Sequence, residues 1–358
     1  MSTDSKKNQK KVSKNLYCGE APLVSVVVTT RNESDTIIDC ITSIFEQTYP
    51  NFEVIIIDAK SSDGTFERTV ELESLSRSFT NCKRYFFCSE EANSPAKGRN
   101  VGVKAAHGTI LAFTDGDCVA EKDWLTNLVK YIPKNTGIVG GPNILRHFKT
   151  SKIIDTIDNV LGTYLGSGGS PQFLQIGKVS EVCGVSSCNL AIQKSLFDSI
   201  GGFNERLRYN EDSDLSNRVR EKGHRIIYSP QAKVNHFMGL DSFSKFSTFV
   251  YKYGSERGKN IAHDSKLFTK INGLSITFLL TLLSLMILCF FTLVALTMLL
   301  ALISFVIIIL IFFSIRIAIR NRSPIFAVLA MPTYIVIFTF YNFGLVSGYF
   351  WQKNSKTI

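Results

Sequence analysis

The hydrophobic pattern changes character twice along this chain. Before about residue 237, short apolar runs alternate with stretches whose apolar positions recur at three- and four-residue spacing. Leu23–Thr30 (LVSVVVTT), Phe52–Asp58 (FEVIIID), Arg84–Phe87 and Thr109–Thr114 read as strands. Between them, Glu33–Gln47, Gly64–Arg77 and Ala96–Ala106 read as helices, the first through Ile37, Ile41, Ile44 and Phe45. Such alternation predicts a mostly parallel α/β sheet covered on both faces. In Asp241–Ala262, Phe243, Phe246, Phe249, Val250 and Tyr253 share one helical face, with Lys245, Lys252 and Arg257 elsewhere. That segment reads either as a helix in the headgroup plane or as one packed on the preceding domain. No charged residue occurs from Gly273 to Ile315, and Ser323–Trp351 is a second charge-free run. A ~30 Å hydrocarbon core takes about 20 helical residues. Two spans near 272–291 and 295–315 therefore fit the first run, and a third runs from Pro324 to Tyr349 across Pro332.

Charge sharpens this division. Of a formal net charge of +10, the first fourteen residues supply +4, and seven basic residues beyond Asp264, where no acid occurs, supply +7. Residues 15–264 are left near −1. A nucleic-acid-binding domain concentrates positive charge on its folded part, so that class is excluded. The Lys-rich residues 1–16 lack an apolar core and read as a disordered tail rather than a secretory signal. Lys252, Arg257, Lys259, Lys266 and Lys270 precede the first span, and Arg316, Arg320 and Arg322 lie between the second and third. The positive-inside rule puts both regions, and residues 1–270, on the cytoplasmic side. The eight cysteines form no C-x-x-C pair. Cys183 and Cys188 could be half a metal site or a disulfide; the plainer reading is buried thiols in a reducing compartment.

Three predicted strands end in polar clusters: Thr29-Thr30-Arg31-Asn32-Glu33, Asp58-Ala59-Lys60-Ser61-Ser62-Asp63-Gly64, and Asp115-Gly116-Asp117. Ligands of open α/β sheets bind beyond the carboxyl ends of strands, so the three together describe a site. Two carboxylates flanking a glycine can hold a hard divalent cation, and the glycine leaves room for a diphosphate. Asp-Gly is also a common turn dipeptide.

In order, the blocks VSVVVTTRNES, IIIDAKSSDGT, SPAKGRNVGVKAAHG, FTDGD and GGFNERLRYNEDSDLSNRVREKGHRIIYSP resemble those of the family 2 glycosyltransferases over Leu23–His236. The resemblance implies a GT-A nucleotide-diphospho-sugar fold over about 17–240, and the apolar pattern adds an amphipathic helix or linker over 241–270 and three transmembrane helices over 271–352. It implies nucleotide-sugar contacts from Thr30, Arg31, Glu33, Asp58, Arg99, Asn100 and Asp115. It also implies a Mn2+ or Mg2+ ion on Asp115 and Asp117, with His236 a candidate third ligand. Asp212 matches the general base, beside Glu211; acids in a first helical turn also simply complement the helix dipole. The second acid that many members carry is Ala59 here, and the Gln-x-x-Arg-Trp box of processive synthases is absent. The expected activity is inverting, non-processive transfer from a nucleotide-diphosphate donor to a lipid-linked saccharide at the cytoplasmic membrane face. A polyprenyl-phosphate glycosyl synthase and a catalytically silent sugar-nucleotide-binding scaffold are the alternatives.

Overall fold

A computed structural model describes residues 21–354, apart from 80, 90, 91, 93, 133, 134, 175 and 241. The expected basic tail, 1–16, lies outside the described residues. The chain divides into two compact units, one running to Arg146 and resuming over Gln175–Met238, the other comprising His147–Leu174 and Gly239–Ile358.

In chain order, the first unit carries β1 (Val24–Thr30), α1 (Ile37–Phe45), β2 (Phe52–Asp58), α2 (Thr65–Ser76), β3 (Cys82–Ser89) and α3 (Pro95–Lys104). Then follow β4 (Ile110–Asp115), β5 (Cys118–Ala120), α4 (Trp124–Val129), β6 (Thr136–Gly140) and β7 (Asn143–Leu145). The second unit then contributes α5 (Lys152–Leu161), α6 (Tyr164–Ser167) and α7 (Pro171–Leu174). The first unit resumes with β8 (Ser180–Glu181), β9 (Leu190–Gln193), α8 (Lys194–Ser199), α9 (Glu211–Glu221), β10 (Arg225–Tyr228) and β11 (Val234–His236).

Eight strands form one sheet in the order β3-β2-β1-β4-β9-β6-β10-β8, and β5-β11-β7 make a smaller one. β1, β2, β3 and β4 run parallel, as the strand–helix alternation predicts. β9 is the departure: it enters antiparallel between β4 and β6. Its four residues, LAIQ, are too short to show a period of their own. The central strands are apolar on both faces because helices cover both. One side packs Val26, Val28, Val54 and Ile56 with Ile37, Ile41 and Ile44 of α1. The other packs Val27, Ile55 and Phe113 with Val103 of α3 and Val219 of α9. The register aligns Thr30 with Asp58 and Thr29 with Asp115, so the polar ends of β1, β2 and β4 share one edge.

The second unit is helical, with α10 (Phe243–His263), α11 (Lys270–Leu288), α12 (Leu293–Arg320) and α13 (Ile325–Asn354). The last three are long and apolar enough to cross a membrane, and residues 289–292 make the tight turn between the first two. The segment 147–174 groups with this unit although it lies inside the stretch 17–240 expected as one domain. The reason is local: α5 is strongly two-faced, and Val160 packs among Ile317, Phe326, Ala330 and Tyr334. Asn321 donates to Asn159 (3.0 Å) and Thr163 shares a hydrogen bond with the Tyr334 hydroxyl (3.0 Å). The aromatic face expected of α10 divides in two. Phe246 and Val250 are buried on a line continued by Gly254 and Gly258, while Phe249 stacks on the exposed Tyr253.

Candidate active site

Gly116 decides how tightly the edge of β1 and β4 can close. A Cβ there would lie 2.2 Å from Glu33 Oε2 and 2.7 Å from Thr30 Oγ1. Only a residue without a side chain lets Glu33 and Thr30 reach the turn between Asp115 and Asp117. Asp115 accepts from Thr29 Oγ1 (3.1 Å) and, at 2.6 Å, from Arg99. Arg99, on α3, is buried, and its other terminal nitrogen donates to Glu211 Oε1 at 2.7 Å. Ser187 Oγ donates to the same Glu211 oxygen at 3.0 Å. Burial would weaken the guanidinium's hold on its proton, but the two carboxylates outweigh it and keep Arg99 charged.

Asp117 turns the other way, towards β11. Its Oδ2 lies 3.1 Å from His236 Nε2, and Cys118 Sγ donates to Oδ1 (3.4 Å). Burial acts to raise the Asp117 carboxyl, yet the charge and hydrogen bond of His236 prevail and hold it below its ordinary value. Burial likewise opposes a charged His236, and Asp117 followed by Cys188 raises its pKa well above the ordinary imidazole value. Glu33 behaves differently: Oε2 is shut off from solvent with no hydrogen-bond partner. Burial first, then Asp117 and Asp115, push its carboxyl well above the usual range. Three carboxylates thus converge on Gly116, and one of them lacks a counter-charge. That donor set, oxygen-rich with one imidazole within reach, fits a hard divalent cation.

Glu211 and Asp212 open α9 after Asn210, which holds a left-handed conformation (φ 63°) and is buried with both amide ends unpaired. Arg99 and Ser187 commit the Glu211 carboxylate. Asp212 accepts from the adjacent Ser213 N–H (2.6 Å). Burial, then the neighbouring Glu211, push its pKa up to about 7.

The remaining predicted contacts are distributed around this centre. Asp58 ends β2 buried, accepting from Ser61 N (2.9 Å) and from the Ser61 and Ser89 hydroxyls. Ser61 Oγ also accepts from Asn32 N (2.8 Å), which ties the β2 loop to the one carrying the exposed Arg31. Asn32 and Lys60 hold left-handed backbone in these loops. Asn100 does not face the group. Its amide donates to Phe203 O and Glu205 Oε1 and accepts from Phe203 N, fastening the turn before α9. The edge therefore gathers Thr30, Glu33, Arg99, Asp115, Asp117, Glu211, Asp212 and His236.

Sequence reading passed over Ser187 and Cys118, and considered Cys188 only together with Cys183, which is exposed. Cys118 directly follows the Asp-Gly-Asp turn and was findable there. Ser187 and Cys188 reach the site only through the antiparallel entry of β9.

Comparison with known proteins bears on the family and the fold. Residues 25–200 match the Glycosyl transferase family 2 model. The glycosyltransferase AglE of Haloferax volcanii is 26% identical over 212 residues, covering 58% of this chain and 64% of that protein. WfgD of Escherichia coli, a UDP-Glc:alpha-D-GlcNAc-diphosphoundecaprenol beta-1,3-glucosyltransferase, is 26% identical over 49% of this chain and 62% of its own. A Methanococcus voltae dolichyl N-acetyl-alpha-D-glucosaminyl phosphate 3-beta-D-2,3-diacetamido-2,3-dideoxy-beta-D-glucuronosyltransferase is 26% identical over 66% of this chain and 73% of its own. The chain thus spans about two thirds of these curated relatives. Among solved structures, the mannosyltransferase PcManGT from Pyrobaculum calidifontis, in complex with GDP-Man and Mn2+, superimposes with a TM-score of 0.57. At 17% identity over 92% of this chain and 93% of that one, the likeness is one of fold.

Proposed function

Since the chain carries a family 2 glycosyl transferase domain of GT-A type followed by long apolar helices, we propose that it is an inverting, non-processive glycosyltransferase. It takes a nucleotide-diphosphate sugar as donor and a hydroxyl of a lipid-linked saccharide as acceptor. Asp115, Asp117 and His236 would hold Mn2+ or Mg2+, which as a Lewis acid offsets the charge building on the departing diphosphate. Asp58, Arg31 and Thr30 line the donor's end of the edge, and Glu33 stands beside the cation.

One observation carries the choice of a hydroxyl acceptor: adjacent acids in different states. Glu211 is ion-paired with Arg99, while at Asp212 burial and Glu211 outweigh the charge of Arg99 and lift the pKa to about 7. A general base works best when its pKa lies near the operating pH, and a sugar hydroxyl needs such a base. A lipid phosphate is already anionic and does not. WfgD and the Methanococcus voltae enzyme, whose printed names specify saccharides on diphosphoundecaprenol and dolichyl phosphate, support the same class of acceptor.

Membranes incubated with a panel of labelled nucleotide sugars should pass label to a lipid extract, in a bond that survives mild acid. Label released by mild acid as the free monosaccharide would identify a sugar-phosphate lipid and overturn the hydroxyl acceptor, whereas release within a larger saccharide fits it; no transfer from any donor would overturn the enzyme reading. The basic flanks of the spans support a catalytic unit on the cytoplasmic face. A reporter active only in the cytoplasm should work when fused at residue 1 and fail when fused after Ile358. Activity at both ends would leave only the hairpin 272–315 across the bilayer.

A further inference from the structure

Behind the Asp-Gly-Asp turn, on the side away from β1, four side chains close a ring. Asp117 Oδ2 meets His236 Nε2 at 3.1 Å, and His236 Nδ1 lies 3.9 Å from Cys188 Sγ. Cys188 hydrogen-bonds Cys118, whose sulfur contacts Asp117 Oδ1. Both cysteines are buried, and one donor atom from each of Cys118, Cys188 and His236 lies within 4.8 Å of the others. From the geometry we infer a second metal site: Cys118, Cys188 and His236 hold a thiophilic divalent cation of the zinc class, which takes His236 away from the oxygen-bound ion of the donor.

Several features fit that class. Zn–S bonds of about 2.3 Å and Zn–N bonds of about 2.0–2.1 Å at tetrahedral angles put sulfur and nitrogen roughly 3.6 Å apart. The Cys188–His236 separation already approaches this. Asn143 Nδ2 lies 3.0 Å from Cys188 Sγ and can donate to it, and Ser186 Oγ lies 3.2 Å away. Such contacts are those that stabilise a sulfur as a thiolate. His236 would ligate through Nδ1 while Nε2–H donates to Asp117. That is the carboxylate–histidine–metal relay that orients ligating imidazoles. Two thiolates and an imidazole select zinc over magnesium or manganese, which prefer oxygen.

Binding replaces the thiol protons of Cys118 and Cys188, and any proton on His236 Nδ1, with the metal; these protons pass to buffer. It also fixes Asp117 as the acceptor of His236 rather than as a ligand of the donor's cation. Zinc would therefore act as a brake on transfer, a consequence that rests on the proposed activity, whereas the site itself does not.

The test separates the two. Reduced full-length protein in detergent is titrated with Co2+ as a spectroscopic stand-in for zinc. The expected result is thiolate-to-cobalt charge-transfer absorption at one equivalent, displaced by Zn2+. It should be lost in Cys118→Ser and in Cys188→Ser but kept in Cys183→Ser, and weakened about 10–100-fold in apparent affinity in Asp117→Asn. Circular dichroism of each variant confirms that it is folded. Absence of the absorption from the reduced protein, or its persistence in both Cys118→Ser and Cys188→Ser, overturns the site. Absorption as expected in a protein that transfers no sugar would leave the metal site standing and remove the proposed function instead.

Discussion

The edge of the sheet and the packing of α10 on α13 keep water out by opposite means. At the edge, the interior is filled with charge, and Arg99 stands between Asp115 and Glu211. Along α10 and α13 the backbones themselves close it where glycines meet, with ring pairs such as Tyr251 and Phe343 alongside. Gly254-x-x-x-Gly258 faces Gly344-x-x-x-Gly348, and a Cβ on any of the four would lie 2.0–2.3 Å from a backbone oxygen of the other helix. Small residues at four-residue spacing let two helix backbones approach to contact. The first device suits a place that must bind ions and move a proton. The second suits one that must hold still, and α13 differs accordingly from its neighbours. In their most apolar windows α11 and α12 are 6% and 11% buried, against 28% for α13. The hairpin leaves most of its apolar surface uncovered, while α13 also takes α10 and α5.

The sharpest test of the charged interior is removal of one ligand. Asp117→Ala should abolish transfer, and wild-type activity lost to a chelator should return with manganese. Radiolabel transfer in excess chelator measures this, and full turnover there would reduce Asp-Gly-Asp to a turn.

Next in size is the base. Asp212→Asn should lower transfer by ~10²–10⁴, the usual contribution of a positioned base, with nucleotide binding nearly unchanged. The sign of the pH effect follows from burial. A carboxyl raised to about 7 is protonated below that pH and cannot accept a proton. Wild-type kcat/KM should therefore fall as pH drops through 7, and the variant's residual rate should lack that limb. An unchanged profile would return Asp212 to the role of a helix-dipole complement.

These two experiments address residues that local sequence already singled out. Asp115, Asp117, Asp58 and Asp212 were legible because each lies in a short contiguous block at the end of a strand or the start of a helix. What those side chains do with one another was not. Arg99 reads as a phosphate contact, yet its partners lie 16 and 112 residues away and hold it inside the protein. Asn100 reads as its companion but fastens the 203–205 turn. The glycine spacings at 254/258 and 344/348 stand in plain view. The first, though, is interrupted by Glu256 and Arg257, and neither means anything without the other. The strand order was legible as far as β4, because parallel strands carry continuous apolar runs; β9 was too short to declare its direction.

A third prediction compares the two interiors on one scale. Arg99→Met removes the cation and leaves Asp115 and Glu211 facing each other without it. Breaking a buried pair by deleting one partner typically costs about 3–5 kcal/mol, because the surviving charges keep their desolvation penalty. Chemical denaturation followed by the fluorescence of Trp124, buried in the same unit, would measure it. A loss well under 1 kcal/mol would mean that water or a rearranged Ser187 can stand in for the guanidinium.

The smallest change probes the packing of α10 on α13. In Gly348→Ala the added methyl must occupy space 2.0 Å from the Ser255 carbonyl oxygen, and the obstacle is backbone rather than a movable side chain. The helices must part, and overpacking of this kind costs roughly 1–3 kcal/mol. Working against it, Ala favours a helix over Gly by about 1 kcal/mol, so the net loss sits towards the lower end. Gly273→Ala separates the two contributions. It lies on α11, where the nearest atom to a new Cβ is the edge of the Phe268 ring at 3.3 Å. That variant should be neutral or slightly stabilised, because a ring edge can shift where a carbonyl cannot. Heating both variants in detergent under far-ultraviolet circular dichroism reads the difference. A Gly348→Ala protein as stable as Gly273→Ala would mean that α10 and α13 do not meet across their glycines.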